Sequence, residues 1–126
     1  MVVLDTDVII DYIRQPDNEN VHLESLLRSI SESELAIPVI TIQELYVGES
    51  SKVRQKEEFF LALIGKFILL AYDDKTAKMA GEIMRDTRPR PQFADAAIAA
   101  TAILNKAKLL TLNKKDFQGI KGLKLA

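Results

Sequence analysis

The sequence predicts an α/β fold with three layers, in which helices cover both faces of a mostly parallel central sheet. Two observations carry this prediction. Short, strongly apolar segments recur along the chain, and longer segments with helical periodicity alternate with them. The length of 126 residues is ordinary for one compact domain, so we expect residues 1–126 to form a single domain.

The predicted strands are short apolar segments that end at polar or turn-forming residues. The first, Val2–Leu4, ends at Asp5, and the second ends at Pro38. The predicted strands cover residues 2–4, 35–37, 67–72 and 109–112, with 123–125 as a short edge strand. Because such segments are apolar without alternation, they indicate strands buried on both faces.

The predicted helices have apolar residues at helical spacing and polar residues at their starts. We expect Thr6 or Asp7 to cap the first helix, Asp73 or Asp74 to begin the fifth, and Gly48 to mark the end of the third. The predicted helices cover about residues 7–14, 21–30, 41–47, 52–64, 74–86 and 94–104, with a turn at 16–18 and loops at 88–91 and 113–116. The expected apolar faces contain Ile42, Leu45 and Tyr46 in the third helix and Phe59, Phe60, Leu63 and Ile64 in the fourth.

The last predicted helix, at residues 94–104, is the most informative segment. It is apolar on all sides except at Asp95 and Thr101, which indicates a buried central helix. Asp95 lies at its start, where the positive end of the helix dipole favours an anion.

The composition excludes several kinds of chemistry. There is no cysteine, which excludes thiolate nucleophiles, disulfides and cysteine-based metal sites. The only histidine, His22, lies in a polar segment where a solvent-exposed side chain is expected, so a serine–histidine–aspartate triad is disfavoured. No segment reaches the roughly 18 apolar residues of a membrane helix, and residues 1–5 do not resemble a secretory signal, so we expect a cytoplasmic protein without membrane contact.

Charge is distributed unevenly along the chain. Residues 1–50 carry ten acids against two arginines, whereas residues 105–126 carry six lysines against one acid. An acidic site with basic surroundings is one interpretation, and lysines that only solvate the surface are the other.

Four acids are candidates for an active site. Ligands of parallel sheets bind beyond the carboxyl ends of the strands, where Asp5 ends the first strand and Asp116 follows the fourth. Each acid also has an ordinary interpretation: Asp5 and Asp95 as helix caps, Asp116 as a turn residue, and Glu44 as a solvated residue opposite the apolar face of its helix.

Considered together, these acids favour metal chemistry. Converging carboxylates raise one another's pKa unless a cation compensates, and Mg²⁺ or Mn²⁺ suits a site made of oxygen ligands alone. A metal bound in this way supports phosphodiester hydrolysis.

The four acids lie in segments that resemble the PIN-domain family and, within it, the VapC-type toxin ribonucleases. The matching blocks run in order over nearly the whole chain: Leu4-Asp5-Thr6 with Val8-Ile9-Ile10 and Tyr12, Thr41-Ile42-Gln43-Glu44-Leu45 with Gly48, Ala94-Asp95-Ala96-Ala97-Ile98-Ala99-Ala100-Thr101-Ala102, and Leu110-Thr111-Leu112-Asn113-Lys114-Lys115-Asp116-Phe117. The resemblance implies a PIN fold and Mg²⁺- or Mn²⁺-dependent endoribonuclease activity. It also implies a VapB-like antitoxin that restrains the activity, and a homodimer. The implied metal ligands and catalytic residues are Asp5, Glu44, Asp95 and Asp116, supported by Thr6, Thr111 and Asn113. We expect Asp7, beside them, to be a further supporting residue.

The chain departs from the family pattern at two positions. Asp7 stands where relatives more often carry an uncharged polar residue, which adds negative charge beside the site. Asn113 stands where some relatives offer another acid, which removes a possible ligand. The number of bound metals therefore stays open.

Two alternative functions stay open at this point. The segment Asp5-Thr6-Asp7 after a strand is similar to the start of a haloacid-dehalogenase phosphatase, and Asp73 or Asp74 with Thr111 and Lys114 could mimic a receiver domain. A non-catalytic PIN-like module that binds RNA or protein is the other alternative. The arginines Arg85, Arg88 and Arg90 could contact RNA phosphates in an enzyme or in such a module, or form a solvated loop.

Overall fold

The computed structural model describes residues 1–14 and 34–126. Within these ranges the chain forms four strands, five α-helices and two 3₁₀ turns. The strands are β1 (Val2–Leu4), β2 (Leu35–Pro38), β3 (Ile68–Leu70) and β4 (Lys108–Leu110). The helices are α1 (Thr6–Arg14), α2 (Val39–Val47), α3 (Arg54–Ile64), α4 (Asp74–Asp86) and α5 (Phe93–Leu104), and the 3₁₀ turns are Glu49–Lys52 and Lys114–Phe117. The predicted turn at 16–18, the predicted helix at 21–30 and His22 lie outside the described residues.

The four strands form one parallel sheet in the order β3-β2-β1-β4. The chain first builds outward from β1 to β2 and β3, and then returns to place β4 on the other side of β1. The order therefore reverses between β1 and β4, and the crevice at such a reversal is the usual ligand site of open α/β sheets.

Apolar side chains of the strands pack on both faces of the sheet. In β1, Val3 joins one buried cluster and Leu4 joins the other. The first cluster also contains residues of α4 and α5, and the second contains residues of α1, α2 and α3. Because adjacent residues of a strand point to opposite faces, this division places helices on both sides of the sheet. The predicted three-layer α/β fold is confirmed.

Helix α5 is buried as predicted. All residues from Ala96 to Ala102 are buried, and the hydroxyl of Thr101 is satisfied by donating to the Ala97 carbonyl at 2.7 Å. The small side chains let α4 and the sheet approach its backbone closely. Because residues 96–102 are packed in the core, Asp95 directly before them is held on a rigid support.

Three predicted helix starts need adjustment, and one is confirmed. Helix α1 begins at Thr6, so Thr6 and Asp7 lie in its first turn and do not cap it. Helix α2 begins at Val39 and not at Thr41, since Pro38 takes the non-helical N-cap position. Helix α3 begins at Arg54 and not at residue 52, since residues 49–52 form a separate 3₁₀ turn. Asp73 caps α4 as expected, accepting hydrogen bonds from the backbone N–H and hydroxyl of Thr76 at 3.0 and 2.8 Å.

The predicted apolar faces of α2 and α3 are only partly correct. In α2 the buried residues are Thr41 and Leu45, while Tyr46 is exposed and donates to Glu57 at 2.7 Å. In α3 Phe60 is buried, but Phe59 is exposed and stacks on Tyr12. Helical periodicity alone does not define which of two adjacent aromatic residues faces the sheet.

The end of the described chain differs from the prediction. Residues 123–125 do not form an edge strand, and Leu125 makes only an isolated parallel bridge to Leu109. Among the described residues, no helix combines the length and apolar character needed to cross a membrane.

Candidate active site

Asp5 and Thr111 meet at the carboxyl ends of the two strands where the strand order reverses. The backbone N–H of Asp5 donates to the Leu110 carbonyl at 2.9 Å, which extends the pairing of β1 and β4 by one step. The Thr111 hydroxyl then donates to Asp5 Oδ2 at 2.7 Å. The sheet pairing therefore fixes one oxygen of the Asp5 carboxylate against the loop that follows β4.

The Asp5 carboxylate is almost completely buried. Only 6% of Asp5 is exposed, and its second oxygen, Oδ1, accepts from the Thr6 backbone N–H at 2.8 Å. Burial raises the pKa of Asp5 to about 7, with a smaller contribution from the charge of Asp7, although the hydrogen bond from Thr111 opposes the rise. Burial therefore favours the neutral form of this carboxyl in the metal-free protein.

Asp95 lies in the first turn of α5 and is half-buried. A helix N-terminus stabilises a carboxylate, yet the pKa of Asp95 is raised to about 6. Burial is the main cause, followed by the charges of Asp116, Glu44 and Asp7. The structure thus places the predicted acids within electrostatic reach of one another, and burial together with their repulsion raises this pKa.

Glu44 reaches the site from α2. The helical wheel predicted that Glu44 lies opposite the apolar face of its helix. In the structure the buried face of α2 is formed by Thr41 and Leu45, and Glu44 lies beside that face, half-buried. The Thr6 hydroxyl donates to Glu44 Oε1 at 2.6 Å and lies 3.1 Å from the Thr41 hydroxyl. Thr41, which is fully buried, was not predicted as a site residue, because its hydroxyl looked like part of a helix start.

Asp116 lies in the exposed 3₁₀ turn after β4. Its Oδ2 accepts from the Asn113 side-chain amide at 2.7 Å, and the Asn113 backbone N–H donates to the Thr111 hydroxyl at 3.0 Å. Hydrogen bonds therefore run from Asp5 through Thr111 and Asn113 to Asp116. At this position Asn113 is not itself an acid, but its side-chain amide orients the carboxylate of Asp116.

Asp7, expected to support the site, also makes a contact that the sequence did not indicate. Its carboxylate accepts from the backbone N–H of Leu112, with oxygens at 3.2 and 3.3 Å, and lies 3.3 Å from the Thr111 hydroxyl. Asp7 therefore attaches the loop after β4 to the first turn of α1. Its charge also raises the pKa of Asp5 and Asp95.

The three arginines named from the sequence lie at the end of α4. Arg85 forms a bidentate ion pair with Asp86 at 2.7 Å, and Arg88 Nη1 lies 2.8 to 3.2 Å from the carbonyls of Thr87, Arg85 and Met84. Arg90 also donates to the Met84 carbonyl, at 3.2 Å. Arg85 is thus paired with a carboxylate, whereas Arg88 satisfies carbonyls at the end of the helix.

Arg90 additionally borders the acids. With Lys115 it lines a cleft of about 210 Å³ whose walls include Asp95 and Asp116. Two basic side chains therefore lie beside two of the four acids. Lys115 was not singled out from the sequence, because nothing distinguished it from the other lysines of residues 105–126.

The donor set fits a hard divalent cation. The site offers carboxylate, hydroxyl and amide oxygens, and none of the ion pairs within residues 1–14 and 34–126 involves its acids. Repulsion that raises two pKa values is what a bound cation would relieve. In the described part of the chain, however, no three acidic or histidine side chains are placed closely enough to hold a metal ion as they stand.

Comparison with known proteins gives one family. The sequence model of the PIN domain matches residues 2–123. Ribonuclease VapC1 of Methanocaldococcus jannaschii is 31% identical over 130 residues, which cover 98% of this chain and 85% of that protein.

Solved structures agree with this result. The DNA-bound VapBC structure from Salmonella typhimurium matches with a TM-score of 0.82 and 25% identity, covering 99% of this chain and 96% of the other. VapBC2 from Rickettsia felis, bound to a promoter DNA fragment, matches with a TM-score of 0.79 and 26% identity over 100% of this chain and 98% of the other. The chain belongs to the PIN-domain family, in its VapC-type branch.

Proposed function

We propose that this protein is a divalent-metal-dependent endoribonuclease and the toxin of a type II toxin–antitoxin pair. The observation that carries the proposal is the cluster of acids at the reversal of strand order, in which Asp5 and Asp95 have raised pKa values. The family membership and the ribonuclease name of a relative that covers nearly the whole chain support it. The match to the PIN family over residues 2–123 favours this function over the phosphatase or receiver alternative.

Asp5, Glu44, Asp95 and Asp116 would hold Mg²⁺ or Mn²⁺. When bound, such an ion supplies an activated water and polarises a phosphoryl oxygen. The remaining polar groups position these acids. Thr111 and the Thr6 backbone orient Asp5, the Thr6 hydroxyl orients Glu44, and Asn113 orients Asp116.

The charges around Asp95 suit both a cation and RNA. Burial and the neighbouring acids raise the pKa of Asp95 to about 6, and a bound cation would lower it, which keeps the carboxylate ionised as a ligand. Arg90 and Lys115 line the cleft beside Asp95 and provide positive charge for RNA phosphates. RNA would therefore approach the acids from this side.

Cleavage of a labelled single-stranded RNA tests the enzymatic part of the proposal. We expect cleavage with Mg²⁺ or Mn²⁺, none with EDTA, and none by D5N or D95N. D74N is the matched control, since Asp74 is an exposed acid in the first turn of α4. Cleavage by D5N at the normal rate would contradict the assignment, and RNA binding without cleavage by the unmodified protein would favour the non-catalytic module.

The toxin role needs a separate experiment. The similar structures from Salmonella typhimurium and Rickettsia felis are VapBC complexes, so we propose a VapB-like antitoxin, a homodimer and action in the cytoplasm for this chain. Expression of the protein should arrest bacterial growth, and co-expression of a small protein encoded beside its gene should relieve the arrest. Equal arrest by D5N would show that growth inhibition does not come from cleavage.

We also propose that residues 1–126 form one domain, since both apolar clusters pack against the same sheet.

A further inference from the structure

A second cleft borders the acid Glu44 and is lined by neither Arg90 nor Lys115. It has a volume of about 550 Å³, within the range of about 300–1,000 Å³ typical of small-ligand sites. Its walls come from the start of α2, the segment after β3 and the start of α5. The lining residues that matter here are Gln43, Glu44, Tyr72 and Phe93.

Two aromatic side chains are exposed in this cleft. Phe93 is 67% exposed and Tyr72 is 39% exposed. Apolar side chains of this size are normally buried, so an exposed pair in one concave surface indicates a binding surface. Flat aromatic rings bind nucleobases by stacking, and they do so for any base, because every base has a π-face.

The cleft is continuous with the acids. Glu44 forms part of its wall, and Phe93 lies two residues before Asp95 on the rigid helix α5. The first turn of α5 separates two environments, since Phe93 and Ala94 line the aromatic cleft and Asp95 lines the basic cleft. A strand that passes the acids would therefore have positive side chains on one side and aromatic rings on the other.

Charge decides which part of a nucleotide suits each cleft. In the basic cleft Arg90 and Lys115 offset the negative charges of Asp95 and Asp116. In the aromatic cleft no basic side chain is among the described lining residues, so the phosphate repulsion by Glu44 is not offset. The uncharged base is not repelled, and Gln43 offers an amide that can donate to or accept from a base edge. The aromatic cleft is thus complementary to a base and not to the backbone.

We propose that the cleft lined by Phe93, Tyr72 and Gln43 binds one unpaired base of the RNA beside the scissile phosphate, with Phe93 as the main stacking residue. This inference rests on the proposed ribonuclease function. A base in a duplex is stacked on its neighbours and cannot enter such a cleft, so the subsite selects single-stranded RNA. Phe93 and Tyr72 are positioning residues here, because they touch the substrate away from the reacting atoms.

An abasic scan combined with F93L tests the proposal. A short single-stranded RNA is made with an abasic sugar at one position at a time around the cleavage site. With the unmodified protein, KM should rise about 10-fold at one position, which corresponds to about 1.4 kcal/mol, with kcat nearly unchanged. F93L should raise KM for the intact RNA by a similar factor and show no further rise with the abasic RNA.

Controls separate this result from other effects. F59L makes the same substitution at an exposed phenylalanine of α3 and should keep both the normal KM and the full abasic effect. Quenching of 2-aminopurine at the sensitive position, measured on catalytically blocked D5N and on D5N/F93L, reports stacking without relying on activity. The quenching should be lost in D5N/F93L.

Three outcomes would overturn the proposal. A full abasic effect in F93L would show that the ring does not stack on the base. Conversion of an oligomer to a monomer by F93L and Y72L, with KM unchanged, would show that the cleft is a protein interface. Absence of RNA cleavage by the unmodified protein would overturn the proposed function as well. Normal cleavage, with an abasic effect that does not depend on Phe93, would overturn only the stacking subsite.

Discussion

The four acids of the site form two pairs that differ in how the protein holds them. Asp5 and Asp95, the inner pair, are set into the sheet edge and the buried helix, and burial raises the pKa of each. Glu44 and Asp116, the outer pair, reach the site from the rim and accept a hydrogen bond from a neutral side chain, Thr6 or Asn113. The inner pair is fixed by the fold, and the outer pair is oriented by its neighbours.

This difference indicates which part of the site costs stability. A buried carboxylate without a positive partner is unfavourable, so the inner pair is maintained at the expense of the free energy of folding. Such a cost is common where a function needs it. The outer pair is more exposed and is hydrogen-bonded, so it lowers the free energy of unfolding by less.

The largest expected effect is on cleavage. D5N and D95N should each lower kcat/KM by at least about 10³-fold, beyond the 10–100-fold typical of groups that only support a ligand. T6V and N113A remove the side-chain donors to Glu44 and Asp116 and leave these acids in place. Each should lower kcat/KM by a factor within that 10–100-fold range. Steady-state cleavage of one RNA by all four variants measures the difference, and equal losses in the two sets would remove the distinction between the pairs.

The next effect is on stability and its pH dependence. A carboxyl whose pKa is higher in the folded than in the unfolded protein contributes stability that is complete below about pH 4 and is lost as the pH rises through the folded value. For Asp5 that value is about 7, and for Asp95 about 6. The metal-free protein should therefore lose this contribution between about pH 4 and pH 7.

D5N should remove most of this loss. At pH 8 without metal, its Tm should exceed that of the unmodified protein by about 5 °C, whereas at pH 4 the difference should be small. E82Q alters an exposed acid of α4 whose charge does not act on Asp5 or Asp95 and serves as the control, with Tm nearly unchanged at both pH values. Thermal melts at the two pH values measure the difference in Tm. If D5N were less stable than the unmodified protein at pH 8, ionised Asp5 would not be destabilising the fold.

A smaller effect is expected at Asp7, which attaches the loop of the outer acid Asp116 to α1. D7A removes the acceptor for the Leu112 N–H and should lower kcat by about 10-fold. D7N keeps an oxygen acceptor and should retain activity within about 3-fold. If D7A and D7N were equally impaired, the charge of Asp7 and not its hydrogen bond would be the important property.

The smallest effect concerns the basic side of the site. R90A should weaken RNA binding about 3-fold at low salt and reduce the slope of log K against log salt by about one. R88A should leave the slope unchanged and lower the Tm by a few degrees, because Arg88 contacts carbonyls at the end of α4. Filter binding over a salt series separates the two, and an unaltered slope in R90A would show that its charge does not contact the backbone.

The same contrast describes what the sequence could predict. The inner pair and the layers around it follow from local patterns: an apolar strand that ends in Asp5 and an apolar helix that begins near Asp95. The orientation of Glu44 does not, because it depends on Thr41 and Leu45 facing the sheet, and the wheel equally allowed a face through Ile42 and Tyr46. The pairing of Asp7 with Leu112 and the cleft around Phe93 depend on contacts between distant segments, which no local pattern records.

The hydrogen bond from Thr111 to Asp5 joins residues 106 positions apart. During synthesis the Asp5 carboxylate leaves the ribosome early, but the strand and hydroxyl that fix it emerge only after more than 100 further residues. A nascent chain therefore has no assembled active site until β4 has paired with β1. For a protein proposed to cut RNA, this order of assembly means that the nascent chain cannot attack its own message before residues 108–111 have emerged and β4 has paired.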